Sequence, residues 1–300
     1  MAKRRRIPTE KPSETILADR KWFQDGKPSW FEGKNKRWER PCRTEAAANQ
    51  LRCDEIRLLR RHGKGLPAAE QVATRLENCS SRYRCLSGAC PECSRAQQRW
   101  FVALSRQLIQ GPLRKTPLKM VTIVPDYGQF PMDSLNALNS KALWLKTARI
   151  FGNEGISLAF GGTDFSVNQD KKAKKPYLQV QFTLFISEKQ WPKSDTRLRK
   201  ALNLSGEIER PVRVETFDGD NAGLAYALKY EFNRRVGYQQ TPEDRHDGRK
   251  SKNTRNRPLR GPDWMRLMVL LDHIGLDARI CLVGVKRILK NGEVVMQLIK

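Results

Sequence analysis

Three groups of residues in this chain have types and spacings that could do chemistry. The tightest is Cys79, Cys85, Cys90 and Cys93, which read C-x5-C-x4-C-x2-C and end in a Cys-Pro-Glu-Cys turn. Such a turn brings two thiolates onto one tetrahedral ion, and zinc accepts four sulfurs without redox chemistry, so the spacing predicts a structural Zn²⁺ site. The alternatives are a set of reduced buried thiols, or a redox pair, which would need a strand and helix around it. Cys42 and Cys53 are spare and either could replace one ligand, whereas Cys281 sits in an apolar run that reads as a core strand.

The second group is Asp164, Gln179 and Gln181. Around Gln179 and Gln181, Leu178, Val180, Phe182, Leu184 and Ile186 alternate with Tyr177, Gln179, Gln181 and Thr183, the period of a half-buried strand. Upstream, Phe165 and Val167 alternate with Asp164, Ser166 and Asn168. If the two segments are neighbouring strands, Asp164, Gln179 and Gln181 share one polar face. That face is either solvated or a site for a metal or phosphate. The third group is Tyr226, Lys229 and Tyr230, within the stretch Asn221 to Arg235 that reads as a helix with Leu224, Leu228 and Phe232 on its core stripe. The two tyrosines, four apart, either act chemically or fill a groove on the sheet.

The elements that must position these groups follow in order. Thr44 to His62 and Leu66 to Glu77 read as helices, and the cysteine turn leads into a third with Trp100, Leu104 and Leu108 at helical spacing. A strand over LKMVTIVP, a helix from Ser134 to Phe151, the strand pair, a helix from Ser194 to Leu202 and a strand over PVRVETFD come next. Strand, helix, strand, strand, helix, strand is the split βαβ pattern, so we expect an α+β fold with an antiparallel sheet carrying helices on one face. The expected divisions are a basic tryptophan-containing arm over 1–40, a helical region with the four-cysteine zinc cluster over 41–112, the α+β core over 113–238, a basic mobile loop over 239–262, and a C-terminal helix and hairpin over 263–300. Asn291-Gly292 marks the hairpin turn.

Composition restricts the partners. A formal charge of +25 on 300 residues is costly unless a polyanion neutralises it, so nucleic acid is the expected partner. Candidate phosphate contacts are Lys171, Lys172, Lys174 and Lys175 in the loop between the strands, Arg234 and Arg235 after the tyrosines, and Arg249, Lys250, Lys252, Arg255 and Arg257 in the hydrophilic insert. Trp22, Trp30 and Trp38 in the arm either stack on bases or pack the arm onto the body. No apolar run is long enough to span a bilayer and the N-terminus lacks a secretory apolar core, so a cytoplasmic protein with no membrane partner is expected.

These parts resemble the His-hydrophobic-His single-strand endonucleases that start rolling-circle replication of plasmids and phages, and their transposase relatives. TIVP is similar to their first strand, GGTDFSVN to the strand with an acidic metal ligand, KPYLQVQFTLF to the strand with the paired histidines, and Tyr226-Ala-Leu-Lys-Tyr230 to the two-tyrosine helix. The likeness covers about residues 79 to 236, and Tyr-x-x-Lys-Tyr in that element order is its most specific piece. It implies a ferredoxin-like core, Tyr226 as nucleophile, Tyr230 as second nucleophile, Lys229 as a phosphate contact, and Asp164 as carboxylate ligand to Mg²⁺ or Mn²⁺. Where the paired histidines belong, the chain has Gln179-Val180-Gln181, and none of its three histidines, His62, His246 and His273, lies near that strand in sequence. A neutral amide is a poor substitute for imidazole toward transition metals.

Three functions follow as expectations. The first is a replication-initiator-like protein that binds single-stranded or hairpin DNA through an altered metal site. The second is a working nicking enzyme that forms a 5′-phosphotyrosine through Tyr226. The third is an RNA-binding protein that shares only the core. No Gly-rich, lysine-bearing phosphate loop is present, so a helicase would be a separate partner.

Overall fold

In the computed structural model, residues 44–80, 83–169, 175–191, 195–202, 211–240, 251–290 and 293–299 are described. The arm, Lys171, Lys172, Lys174, Arg249, Lys250 and the Asn291-Gly292 turn lie outside them.

Three helices come first. Thr44 caps α1 (Glu45–His62), its hydroxyl accepting from the Ala47 N–H at 3.1 Å, and the helix stops at Gly63. Helix α2 (Pro67–Glu77) begins at Pro67, where a missing N–H is harmless. Helix α3 (Pro91–Gln110) starts within the cysteine turn, with Cys90 at its N-cap and Cys93 in its first turn.

Strands β1 (Leu118–Ile123), β2 (Gln129–Pro131), β3 (Ala159–Gln169), β4 (Tyr177–Ser187) and β5 (Val212–Thr216) then alternate with helices α4 (Ser140–Asn153) and α5 (Asp195–Leu202). The main sheet runs β5-β1-β4-β3 with every neighbour antiparallel, and β2 pairs with β4 beside β1. Helix α4 begins six residues later than the expected Ser134, because Leu135–Ala137 forms a separate 3-10 turn and the Asn139 side chain caps the helix at the Ala142 N–H.

Two features of the sheet correct the expectation. The strands are not half-buried, since both faces of β3 and β4 are covered along most of their length. One face packs Phe165, Val180, Phe182 and Leu184 against Trp144 and Phe151 of α4 and Leu198 of α5. The other packs Phe160 and Phe185 against Phe101 and Leu104 of α3 and against α6 (Asn221–Tyr226). Helices therefore cover both faces, and alternation does not reveal this because the cover over the polar positions comes from distant sequence. Gly162 fixes the approach of α6, since a Cβ there would stand 2.2 Å from the Ala227 carbonyl oxygen.

The helix expected over Asn221 to Arg235 ends at Tyr226. Beyond it, Tyr230 and Phe232 turn into the core, their rings 5.0 Å apart, and the chain enters β6 (Arg234–Gln240), which pairs in parallel with β3. Burial of two aromatics outweighs helix propensity, which is a weak local preference. The sheet is therefore mixed. Strand β7 (Ser251–Arg257) pairs antiparallel with β6, so the segment expected as a mobile loop has strands at both flanks. Its polar sequence hides them because the ribbon is held by backbone hydrogen bonds rather than by an apolar face.

The C-terminal block closes the molecule. Helix α7 (Gly261–Ile274) packs on α1 and α2, with Arg75 bound to Asp272 at 2.9 Å. Strand β8 (Ile280–Val283) pairs with the remaining edge of β3, and β9 (Val285–Lys290) and β10 (Glu293–Leu298) form a separate ribbon. One hydrophobic core joins residues of α1, α2, the sheet and α7, so the helical region and the C-terminal block are not separate bodies. No helix among the described residues is long and apolar enough to cross a membrane.

Candidate functional site

Cys79, Cys85, Cys90 and Cys93 converge, with their sulfurs all within 4.8 Å of one another. The Cys79–Cys93, Cys79–Cys90 and Cys85–Cys93 separations are 3.6, 3.6 and 3.7 Å. A tetrahedron built on zinc–sulfur bonds of about 2.3 Å has edges of about 3.8 Å, so these thiols fit a metal ion and stand too far apart for disulfides. Hydrogen bonds from the other three thiols pull the Cys79 thiol down, while the contact with Cys79 pushes the Cys90 and Cys93 thiols up, as expected when four thiols crowd together. Arg84 and Arg52 flank the cluster, both bound to Glu92 at 2.6 and 2.9 Å. Two partly buried cations are placed to offset the negative charge of four thiolates. Cys53 is exposed and outside the group, and Cys281 is buried beside Thr163 with its thiol pushed up to about 12 by burial.

The second cluster forms where β3, β4 and the segment after α6 meet. The hairpin register sets Asp164 opposite Gln181 and Ser166 opposite Gln179, on the polar face expected from alternation. The outcome is an anchored carboxylate. Gln181 Nε2 donates to Asp164 Oδ2 at 2.5 Å, and Lys229 Nζ lies 2.8 Å from the same oxygen. Gln179 does not join them, because its amide donates to the Pro125 and Val180 carbonyls at 2.9 Å each. Lys229 Nζ also stands 5.1 Å from the centre of the Tyr226 ring, a cation–π contact. Burial pulls the Lys229 ammonium down, but the adjacent Asp164 carboxylate more than offsets this and its pKa lies above the ordinary lysine value.

Sequence reasoning missed one member of this cluster. Arg279, just ahead of β8, is 0% exposed; its Nη2 donates to the Lys229 carbonyl at 2.8 Å and its Nε reaches the Thr163 carbonyl at 3.4 Å. Burial lowers its pKa while the Asp164 charge acts the other way. An arginine set directly before the apolar run Ile280-Cys281-Leu282-Val283 was the available signal, because a charge there must be buried with a partner.

Tyr230 lies apart from Tyr226. Its hydroxyl is 2.5 Å from the Ala89 carbonyl and 2.8 Å from Glu55 Oε1, between α1 and the cysteine loop. The phenol is the donor to both, its single proton shared between the Ala89 carbonyl and the Glu55 carboxyl. Complete burial pushes the Glu55 carboxyl well above its usual range, while the hydrogen bond from Tyr230 acts the other way.

Among the expected phosphate contacts, Arg234 and Arg235 stand on β6 opposite Val167 and Asn168 of β3. Arg257 and Arg255 face Arg234 and Val236 across the ribbon and are exposed, and Lys252 pairs with Gln239 further along. Lys175 is exposed before β4. The basic ribbon thus leaves the sheet beside the Asp164 cluster. An open groove of about 780 Å³ lies elsewhere, next to Cys85, where Tyr83 is 77% exposed.

Comparison with protein-family models, with curated proteins and with solved structures finds no match to this chain.

Proposed function

We propose that this protein binds single-stranded or hairpin DNA in the manner of a replication initiator, through a site in which lysine and amide groups stand where a metal centre is expected. The observation that carries this reading is the placement of Tyr226, Lys229 and Asp164 at the foot of the basic β6–β7 ribbon. On the sheet face that holds Asp164, Arg235 stands beside Asn168, whereas Arg234, Arg255 and Arg257 fall on the opposite face, so a phosphodiester ending at Tyr226 and Lys229 would meet Arg235. The net charge of +25 supports a polyanion as partner. The antiparallel order β5-β1-β4-β3, with α4 and α5 as crossovers, supports a ferredoxin-like core of the kind the resemblance implies. The four cysteines are assigned to structural Zn²⁺, and a separate helicase and a cytoplasmic setting belong to the same proposal.

Fluorescence anisotropy with single-stranded, hairpin and RNA oligonucleotides over a range of salt tests it. Affinity should fall steeply with salt, by about 0.7 in the logarithmic slope for each single-strand phosphate neutralised, and DNA should be preferred. A flat salt response sinks the proposal; a preference for RNA replaces DNA as the partner.

A second reading is favoured by the Lys229–Tyr226 contact. In it, Tyr226 Oη attacks phosphorus, forming a phosphotyrosine bond as the P–O3′ bond breaks; the phenol proton passes to solvent and the 3′ oxygen takes up a proton. The expected product is a covalent adduct on wild-type protein that disappears in Tyr226→Phe. Tight binding with no adduct leaves the binding function alone.

A further inference from the structure

The resemblance calls for a divalent ion at Asp164, and the residues present do not fit one. A Mg²⁺ or Mn²⁺ site gathers several oxygen or nitrogen donors whose negative charge offsets the ion. Among the described residues Asp164 is the single carboxylate of this cluster, and its Oδ2 is already held by the Lys229 ammonium and the Gln181 amide. Gln181 turns its NH₂ toward Asp164, and a donor group cannot ligate a cation. Gln179 is engaged with backbone carbonyls. Asp164 Oδ1 is buried without a hydrogen-bond partner, the one opening for an ion. It lies in a neighbourhood that also contains the buried Arg279, whose Nη1 likewise has no partner. Two cations against one carboxylate leave the cluster positive before any ion is added. At close range in a poorly solvated site, adding a divalent ion to two such cations is strongly unfavourable.

We infer that Lys229, held in place by Arg279, takes the position of the divalent ion, making this a metal-independent site for the anionic phosphate of nucleic acid. This rests on the nucleic-acid reading above. Lys229 is the group that meets the phosphate: its side chain is 13% exposed beside the partly exposed Tyr226, while Asp164 beneath it is 2% exposed. Arg279 is a positioning residue. It reaches no solvent and acts by gripping the Lys229 carbonyl, which sets where the lysine leaves the backbone. Asp164 keeps the ammonium ionised and aimed.

The test uses the full chain with its cysteine-bound metal retained, in buffer freed of other divalent ions by a chelating resin. Manganese binding is followed by the electron paramagnetic resonance of free Mn²⁺. The expected result is no Mn²⁺ bound at Asp164, seen as identical titrations for wild type and Asp164→Asn. Binding of a single-stranded oligonucleotide should change less than about twofold on adding Mg²⁺ at matched ionic strength. Lys229→Gln should weaken it about tenfold and reduce the salt slope by about one phosphate, whereas Lys229→Arg should stay within about threefold of wild type. Inorganic phosphate, added in place of chloride at equal ionic strength, should raise the melting temperature of wild type and Lys229→Arg more than that of Lys229→Gln.

One Mn²⁺ per chain that is lost in Asp164→Asn overturns the inference, as does oligonucleotide binding that requires Mg²⁺. Failure of every oligonucleotide to bind, with the phosphate and manganese results as expected, instead removes the nucleic-acid reading and leaves an anion site. Absence of the phosphate effect overturns the anion site itself. The manganese arm compares folded wild type directly, so misfolding of a lysine variant cannot hide the answer.

Discussion

Replacing Lys229 with methionine is the sharpest probe of the cluster at the centre of the sheet. The substitution keeps most of the side-chain volume but leaves the Asp164 carboxylate without its ammonium partner 2.8 Å away. Removing one member of a buried ion pair costs about 3–5 kcal/mol, chiefly because the other charge stays desolvated. Two features reduce that figure: Gln181 still donates to Asp164 Oδ2, and Arg279 remains a nearby cation. We therefore expect a loss of about 2–4 kcal/mol. Unfolding entropy for a chain of this length is about 0.6 kcal/mol per kelvin, so the midpoint should fall by about 3–6 °C. Asp164→Asn removes the carboxylate and leaves Lys229 unpaired, with a comparable loss. The double variant, in which neither charge remains, should recover about 2 kcal/mol relative to the sum of the singles. Differential scanning calorimetry with a denaturant titration measures all four proteins, with metal content checked in each. Additive losses, or singles that each cost under about 0.5 kcal/mol, would mean that solvent screens the pair as on an ordinary surface, and would refute the reasoning.

Other parts of the molecule yield further tests. Elemental analysis should find about one metal ion per chain, unchanged in Cys53→Ser and lost in Cys90→Ser, with the helical region loosened in the latter as seen by circular dichroism. Burial raises the Glu55 carboxyl well above its ordinary range in the folded protein. Its contribution to stability is therefore full at low pH and declines as pH rises from about 4.5 toward the raised folded value, at up to about 1.4 kcal/mol per pH unit. Glu55→Gln should flatten that part of the stability–pH curve, and an unchanged curve would contradict a carboxyl raised by burial. Gly162→Ala would place a Cβ 2.2 Å from the Ala227 carbonyl oxygen, so α6 must shift; a loss of about 1–3 kcal/mol is expected in the same calorimetric assay.

What was legible in the sequence was set by local geometry. The Cys-x2-Cys turn and the two further cysteines lie within fifteen residues, a span over which one loop decides the outcome, and the four sulfurs meet as their spacing implies. Alternation over 159–169 and 177–187 determines which side chains share a face, because the strand period is two, so Asp164, Gln179 and Gln181 fall on one face from sequence alone, whereas the register decides that Gln181 is the one opposite Asp164. The antiparallel pairing of β3 with β4 follows from the short connection between them in the same way.

Tertiary structure decided whatever depends on charge compensation and burial between distant segments. Whether Asp164 faces an ion or an ammonium turns on Lys229, brought over β3 by a helix that ends early, and on Arg279, whose contact with Thr163 spans 116 positions. Tyr230 is separated from Tyr226 because burying its ring against α1 and the cysteine loop outweighs continuing a helix. The β6–β7 ribbon carries no apolar pattern and exists because β3 offers an unpaired edge. Spacing in a sequence fixes neighbours along one turn or strand, whereas the energy of a buried charge is set by all the groups packed around it, and those come from every part of the chain.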